Sequence, residues 1–445
     1  MLNSNFLKRV ELSKLRNAYV ALLRFLSSPK FIVQYGASLA AGFGSFIGLA
    51  LLGRVLPSEG IYSEVAAILG SFNFYFVFMD LGFSSELMRD CQGPKGEDQT
   101  RSNFQSFLSL LYFRLIICAV AIPVAVFHGM YSGQSEAAAP AFGMFATSFI
   151  GFAVLSTFDS YYFAINDPIK AISFKSMRFI TSVLLPLLLL KFENFSLENI
   201  FFIYLLMVLV VTGIGIYWHR KLITALFAVS FLPSRERFFD FLFRCLKSSS
   251  SLIIAMVGAL AVQMSLYKGQ GMTGLATYIA ALSLLSPVTT AMQTISQLVL
   301  MDLGIWAVGD PLSAKRHILK STLIISLFGC MGGLGIYLFY RIGLIDFFLK
   351  HIDSSFPMIL LFLTIHMTAS SVYVQFINFL QFRKQYRGLF IGTLVFTIVS
   401  SPALFLLSGT YGVEGYAIGS SIFSVLNLGM LYFLFRQELK NSLLV

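Results

Sequence analysis

Arg114 stands where a membrane-crossing helix should be most apolar. Counted from the start of the run Phe104–Phe127 it lies about 15 Å along a helix, near the middle of a bilayer. An arginine there costs roughly 2.5–3.5 kcal/mol on the insertion scale, so it must face water, a partner or a ligand. Its guanidinium fork suits the paired oxygens of a pyrophosphate or an acidic sugar. The same fork could instead hold helices together through Asp159 or Glu64. Asp159, near the end of the run Ala138–Tyr162, could also titrate in proton coupling. Arg54 and Lys268 close the first and seventh apolar runs. Two cations at equivalent ends either flank a central cavity and attract an anion or snorkel to the interface.

Uncharged polar residues recur at helical spacing. Ser286, Thr290, Gln293 and Gln297 share one face, as do Ser371, Gln375 and Asn378, and Gln34, Ser38 and Ser45. Such stripes suit a wet lumen that meets sugar hydroxyls. Stripes of three or four favour the lumen over the alternative of helix–helix hydrogen bonding, worth about 0.6 kcal/mol per contact. Gln263, Asn73 and His366 are isolated and read as packing contacts. Asp80 and Asp302 read as organisers of turns, and Pro123, Pro186, Pro287 and Pro402 as kinks. No Walker-type loop, zinc-ligand spacing or nucleophile elbow occurs, so neither a metal nor a cofactor is expected. The four cysteines do not suggest a disulfide framework.

The elements that must position these residues are membrane helices. The 445 residues are 57% hydrophobic and 12% charged, against about a quarter charged in a soluble domain. Apolar runs lie at Phe31–Leu52, Tyr62–Leu81, Phe104–Phe127, Ala138–Tyr162, Phe174–Leu190 and Ile200–Trp218. Six more lie at Ser248–Tyr267, Thr277–Leu303, Ile318–Tyr340, Pro357–Phe379, Leu389–Leu407 and Gly415–Phe435. Lys and Arg crowd the connections on one side, including Lys170, Lys175 and Arg178. The other side has only Arg54, Lys191, Lys268, Arg341 and Lys350. This bias puts both termini in the cytoplasm and accounts for the net charge of +11, so no nucleic-acid partner is needed. The first apolar run is membrane-length and follows a charged stretch, so no secretory signal peptide is expected.

The second half repeats the first. Asp159 aligns with Gln375, Pro186 with Pro402, Glu198 with Glu414 and Arg220 with Arg436, at one constant offset. Duplication of a six-span unit without inversion predicts an all-α integral membrane protein. Its twelve transmembrane helices form two six-helix lobes related by a parallel pseudo-two-fold, with a substrate path between them. The divisions are a basic amphipathic segment at 1–30, a first lobe at 31–219, an interfacial helix and linker at 220–247, and a second lobe at 248–445. The connections are too short for a soluble catalytic domain, which points away from an enzyme.

Three local patterns carry a family resemblance. Leu51-Leu52-Gly53-Arg54-Val55-Leu56-Pro57-Ser58-Glu59-Gly60-Ile61-Tyr62 resembles the first hairpin of bacterial polysaccharide exporters. Phe78-Met79-Asp80-Leu81-Gly82-Phe83-Ser84-Ser85 resembles their aspartate-x-glycine exit from helix two. Tyr411-Gly412-Val413-Glu414-Gly415-Tyr416-Ala417-Ile418-Gly419 resembles the tyrosine-glycine-x-x-glycine start of helix twelve. Together these resemble the Wzx-type O-antigen flippases of the multidrug/oligosaccharidyl-lipid/polysaccharide (MOP) exporter superfamily. The resemblance implies a MATE-like fold in the bacterial inner membrane and alternating access. It implies movement of an undecaprenyl-pyrophosphate-linked oligosaccharide to the periplasmic leaflet, with polysaccharide polymerase machinery as a partner. An ion-coupled multidrug-type exporter, a peptidoglycan-precursor flippase and a glycan polymerase stand as alternatives. A basic cavity argues against cationic cargo.

Overall fold

A computed structural model describes residues 28–56, 58–71, 75, 83–91, 97–132, 136–191, 195–229, 232–269, 272–309, 311–343 and 354–443. The basic segment up to residue 27, and Asn73, Asp80 and the rest of 76–82, lie outside them. So do the side chains of Gln263, Lys268, Gln297 and Asp302.

The described residues form helices only. In the first half these are α1 (Pro29–Val55), α2 (Glu59–Gly70), α3 (Phe83–Cys91), α4 (Glu97–Ser132), α5 (Ala138–Ala164), α6 (Ser173–Leu189) and α7 (Leu197–Trp218). Then come α8 (Arg220–Val229), α9 (Arg235–Gly269), α10 (Met272–Gly309), α11 (Pro311–Arg341), α12 (Phe356–Phe382) and α13 (Tyr386–Leu443). Serine starts several of them where the sequence supplies it. Ser28, Ser58 and Ser196 accept the amides of Phe31, Ile61 and Asn199, satisfying donors that the first turn leaves over. Pro29 follows Ser28 in α1, at a position where a missing N–H costs nothing.

Eight helices of the described residues are long and apolar enough to cross a membrane, and a ninth span arises if Arg235–Ser250 and Leu252–Ala259, bent by 59°, count as one. The protein is therefore a multi-pass membrane protein. The two predicted runs at the C-terminal end fall within α13, which breaks at Gly412 with φ 63° and ψ −142°. That left-handed backbone suits a glycine at the turn between two helical stretches.

Packing follows the halves of the chain. In the first half α5 packs against α4, α6 and α7, and α3 against α4 and α5. In the second, α12 joins α10, α11 and α13, while α9 lies along α13. Among the described residues the halves meet chiefly where α1 and α2 pack on α10 and where α9 packs on α3 and α4. Aromatic rings fill the first half's interior, with Phe145 edge-on to both Phe149 and Phe201.

Candidate functional site

The seam between α1, α6 and α10 is built on small residues. A Cβ added to Gly42 would sit 2.5 Å from the Pro287 backbone of α10, so only glycine allows that approach. On the basic side of this crossing the predicted stripes of α1 and α10 face each other. The Thr290 hydroxyl donates to the Ser38 carbonyl at 3.0 Å, and the Ser38 and Thr294 hydroxyls bond each other. Here the helix–helix reading of the stripes describes the geometry. Gln34 is wholly buried. Its amide nitrogen donates to the carbonyls of Pro168 and, at 2.8 Å, Ala171, and its oxygen accepts the Lys175 ammonium at 2.7 Å. Lys175 also reaches Thr294 across the seam at 3.4 Å.

Beyond the crossing the seam opens into a cavity of about 100 Å³, room for several waters. Arg178, Thr181, Ser182, Ser45, Ser283 and Ser286 supply its polar wall, and Leu49 and Ile279 part of its apolar one. The Ser286 hydroxyl is buried with no hydrogen-bond partner among the described residues. None of the described residues that line the cavity is acidic. The chamber thus offers a guanidinium and several hydroxyls: a setting for an anion or for sugar hydroxyls, and a poor one for a cation.

Arg114 lies elsewhere. It is 1% exposed and points into the first half, against a patch of hydroxyls on α3 and α5. One terminal nitrogen donates to Ser156 at 3.2 Å and Thr157 at 3.0 Å, the other to Ser84 at 2.8 Å and Ser160 at 3.3 Å. It is not among the residues lining the cavity. Asp159 accepts the amides of Ser173 and Phe174 at 3.0 and 3.1 Å, and so caps the start of α6, the helix that carries Lys175 and Arg178. Its repeat equivalent, Gln375, is also wholly buried, but neither atom of its amide finds a partner among the described residues.

The remaining predicted positions are dispersed. Arg54 is exposed at the end of α1, Glu64 is half-buried on α2, Gln293 is exposed on α10, and Asn378 is half-buried on α12. His366 accepts or donates at 2.6 Å with Ser424. Lys175 and Arg178 depart from their sequence assignment. Read as charges of a connection, they sit within α6 and turn toward the seam. The signal was present: Lys175, Arg178, Thr181 and Ser182 recur at the spacing of one helix face.

No protein-family model matches the sequence, and no curated protein is matched. Solved structures do match. An inward-facing multidrug resistance MATE family transporter of the MOP superfamily is 15% identical, with 91% of this chain and 95% of that one covered at a TM-score of 0.62. The lipid II flippase MurJ in an inward closed conformation is 16% identical, with 90% and 87% covered at 0.59. A MOP superfamily transporter from Pyrococcus furiosus, described for the reverse polarity of its binding pocket, is 14% identical, with 93% and 98% covered at 0.58. The fold is that of the MOP-superfamily transporters, which include both MATE exporters and a lipid-linked flippase.

Proposed function

We propose that the protein is a Wzx-type flippase. It moves an undecaprenyl-pyrophosphate-linked oligosaccharide, an O-antigen or related repeat unit, from the cytoplasmic to the periplasmic leaflet of a bacterial inner membrane. The observation that carries the reading is the seam cavity, where Arg178 stands among hydroxyls with no acidic residue in the described wall. A pyrophosphate with its sugars cannot cross hydrocarbon unaided, since each unpaired polar group there costs several kcal/mol. A cationic, hydroxyl-lined seam relieves that cost while the polyprenyl tail stays in lipid. The cavity of about 100 Å³ holds water or a small anion and no glycan, so the seam must widen during transport.

In this reading twelve helices form two lobes, divided by a linker at 220–247, with both termini in the cytoplasm. The reciprocal packing of α1 on α10 and α9 on α3 supports a two-fold between the lobes. Alternating access then opens the seam to one leaflet at a time. Arg114, Arg54, Lys268, Gln293, Gln297, Gln375 and Asn378 are assigned to the wider path that the cargo follows once the seam opens, and Asp159 and Glu64 to coupling or ion pairing. Polysaccharide polymerase machinery receives the product. The test is a deletion strain: lipid-linked repeat units accumulate facing the cytoplasm, and the intact gene restores surface glycan. Units that accumulate facing the periplasm would instead indicate a polymerase, and unchanged glycan with lost dye efflux a multidrug-type exporter.

A further inference from the structure

Away from the seam cavity, the two halves of the chain are joined by a second set of contacts, and these are charged. Asp90 of α3 receives Arg244 of α9 in a two-pronged grip, with one terminal nitrogen 2.5 Å from Oδ1 and the other 3.1 Å from Oδ2. The Ser106 hydroxyl of α4 donates to the same Oδ2 at 2.8 Å, and Arg244 Nε is held by Asp240 at 3.1 Å. One residue before Asp90, Arg89 donates to the Tyr386 hydroxyl of α13 at 2.6 Å, while its other terminal nitrogen pairs with the buried Glu86. The Lys247 ammonium lies 5.7 Å from the centre of the Tyr386 ring. The Ser234 amide donates to Gln105 of α4 at 2.9 Å. A hydrogen bond between Glu86 and Ser248 of α9 joins the same set. Among the described residues at least four links thus cross between α3–α4 and the second half, all on the side where Lys and Arg gather.

From this geometry we infer that Asp90–Arg244 and Arg89–Tyr386 form a lock that holds the basic face of the transporter shut. The inference rests on the proposed two-lobe reading, in which separation of α9 from α3 and α4 opens that face. A lock suits the site for three reasons. The arginine–carboxylate grip is bidentate, so it has one geometry and is lost as a unit when the helices part. Its members are half-exposed, Arg244 at 34% and Asp90 at 15%, so water can solvate the charges once they separate. The contact is therefore strong enough to bias two states without making the closed one irreversible. The pieces are also adjacent in sequence on one side, Glu86, Arg89 and Asp90 on a nine-residue helix, so that α3 moves them together.

The experiment reads seam opening without any cargo, which separates its failure from failure of the flippase reading. Thr294, 1% exposed and bonded to Ser38, becomes the single reporter as Thr294→Cys, with the four native cysteines replaced by serine. The rate of maleimide labelling is measured on the full chain in nanodiscs. Asp90→Asn and Arg244→Gln are each expected to raise the rate at least tenfold. The charge-reversed pair Asp90→Arg with Arg244→Asp is expected to return it to within twofold of the parent. Equal rates in parent and single variants of unchanged thermal stability overturn the lock, as does a charge-reversed pair that labels as fast as either single variant.

Discussion

Replacing Arg178 tests the chemistry assigned to the seam. The side chain shares the cavity wall with Thr181, Ser182, Ser45, Ser283 and Ser286. Hydrogen bonds to a charged group are worth about 1.5–3 kcal/mol each. Loss of one such bond to a pyrophosphate oxygen therefore weakens binding by about 10- to 150-fold, at 1.4 kcal/mol per decade. Arg178→Gln removes the charge while keeping much of the volume. Arg178→Lys keeps the charge and loses the fork, so it should fall between the two. The assay is titration of nanodisc-embedded protein with a fluorescent polyprenyl-pyrophosphate oligosaccharide, run beside thermal denaturation to confirm that each variant is folded. An Arg178→Gln protein that is folded and binds this probe as tightly as the parent would refute the role given to the cavity.

Other outcomes follow from the same geometry. Gly42→Val drives a side chain into the Pro287 backbone, and the overpacking should cost about 1–3 kcal/mol, seen as a lower melting temperature and lost transport. Asp159→Ala removes the cap of α6 and should cost about 0.5–2 kcal/mol, with Asp159→Asn closer to the parent; equal melting temperatures for all three would remove the capping role. Arg114→Ala should abolish surface glycan at unchanged membrane levels, and normal glycan in that strain would take Arg114 out of the transport account. Glu86 has a pH signature. Burial raises its carboxyl above the ordinary glutamate value, against the opposing pull of Arg89. With the folded pKa above the unfolded one, stability should fall as pH rises through the range just above that of an ordinary glutamate. Glu86→Gln should flatten the melting temperature against pH there, and an unchanged slope would contradict it.

Much of this was legible in the residues because membrane physics leaves few choices. Runs such as Ala138–Tyr162 and Ile200–Trp218 can be little else than helices, and the spacing of Ser38 and Thr290 puts each on a polar face, though it does not say which face each meets. The glycine at Gly412 marked the turn that divides α13. What stayed hidden depended on direction and distance. Lys175 and Arg178 count as charges of a connection in the sequence because hydropathy averages over a window and cannot tell which face of a helix carries them. In the fold α6 begins at Ser173 and turns both toward α10. Arg114 was legible as a buried cation, but the serine and threonine cluster that holds it is spread over two helices. The Asp90–Arg244 grip joins residues far apart in sequence, each of which alone looks like one more charge on the basic side. Gln375 shows the limit of repeat reasoning: it is the counterpart of Asp159 by position, yet its amide does not take up the capping task.

In the proposed function an anionic, lipid-anchored glycan crosses between the two halves of the chain. Its most direct measurement uses proteoliposomes loaded on one leaflet with a fluorescent polyprenyl-pyrophosphate oligosaccharide, with its appearance on the other leaflet read by a membrane-impermeant lectin. Protein-dependent arrival of the glycan, slowed at least about tenfold by Arg178→Gln, is the expected result. Arrival no faster than in protein-free vesicles, under conditions where the same vesicles export a cationic dye, would contradict the account.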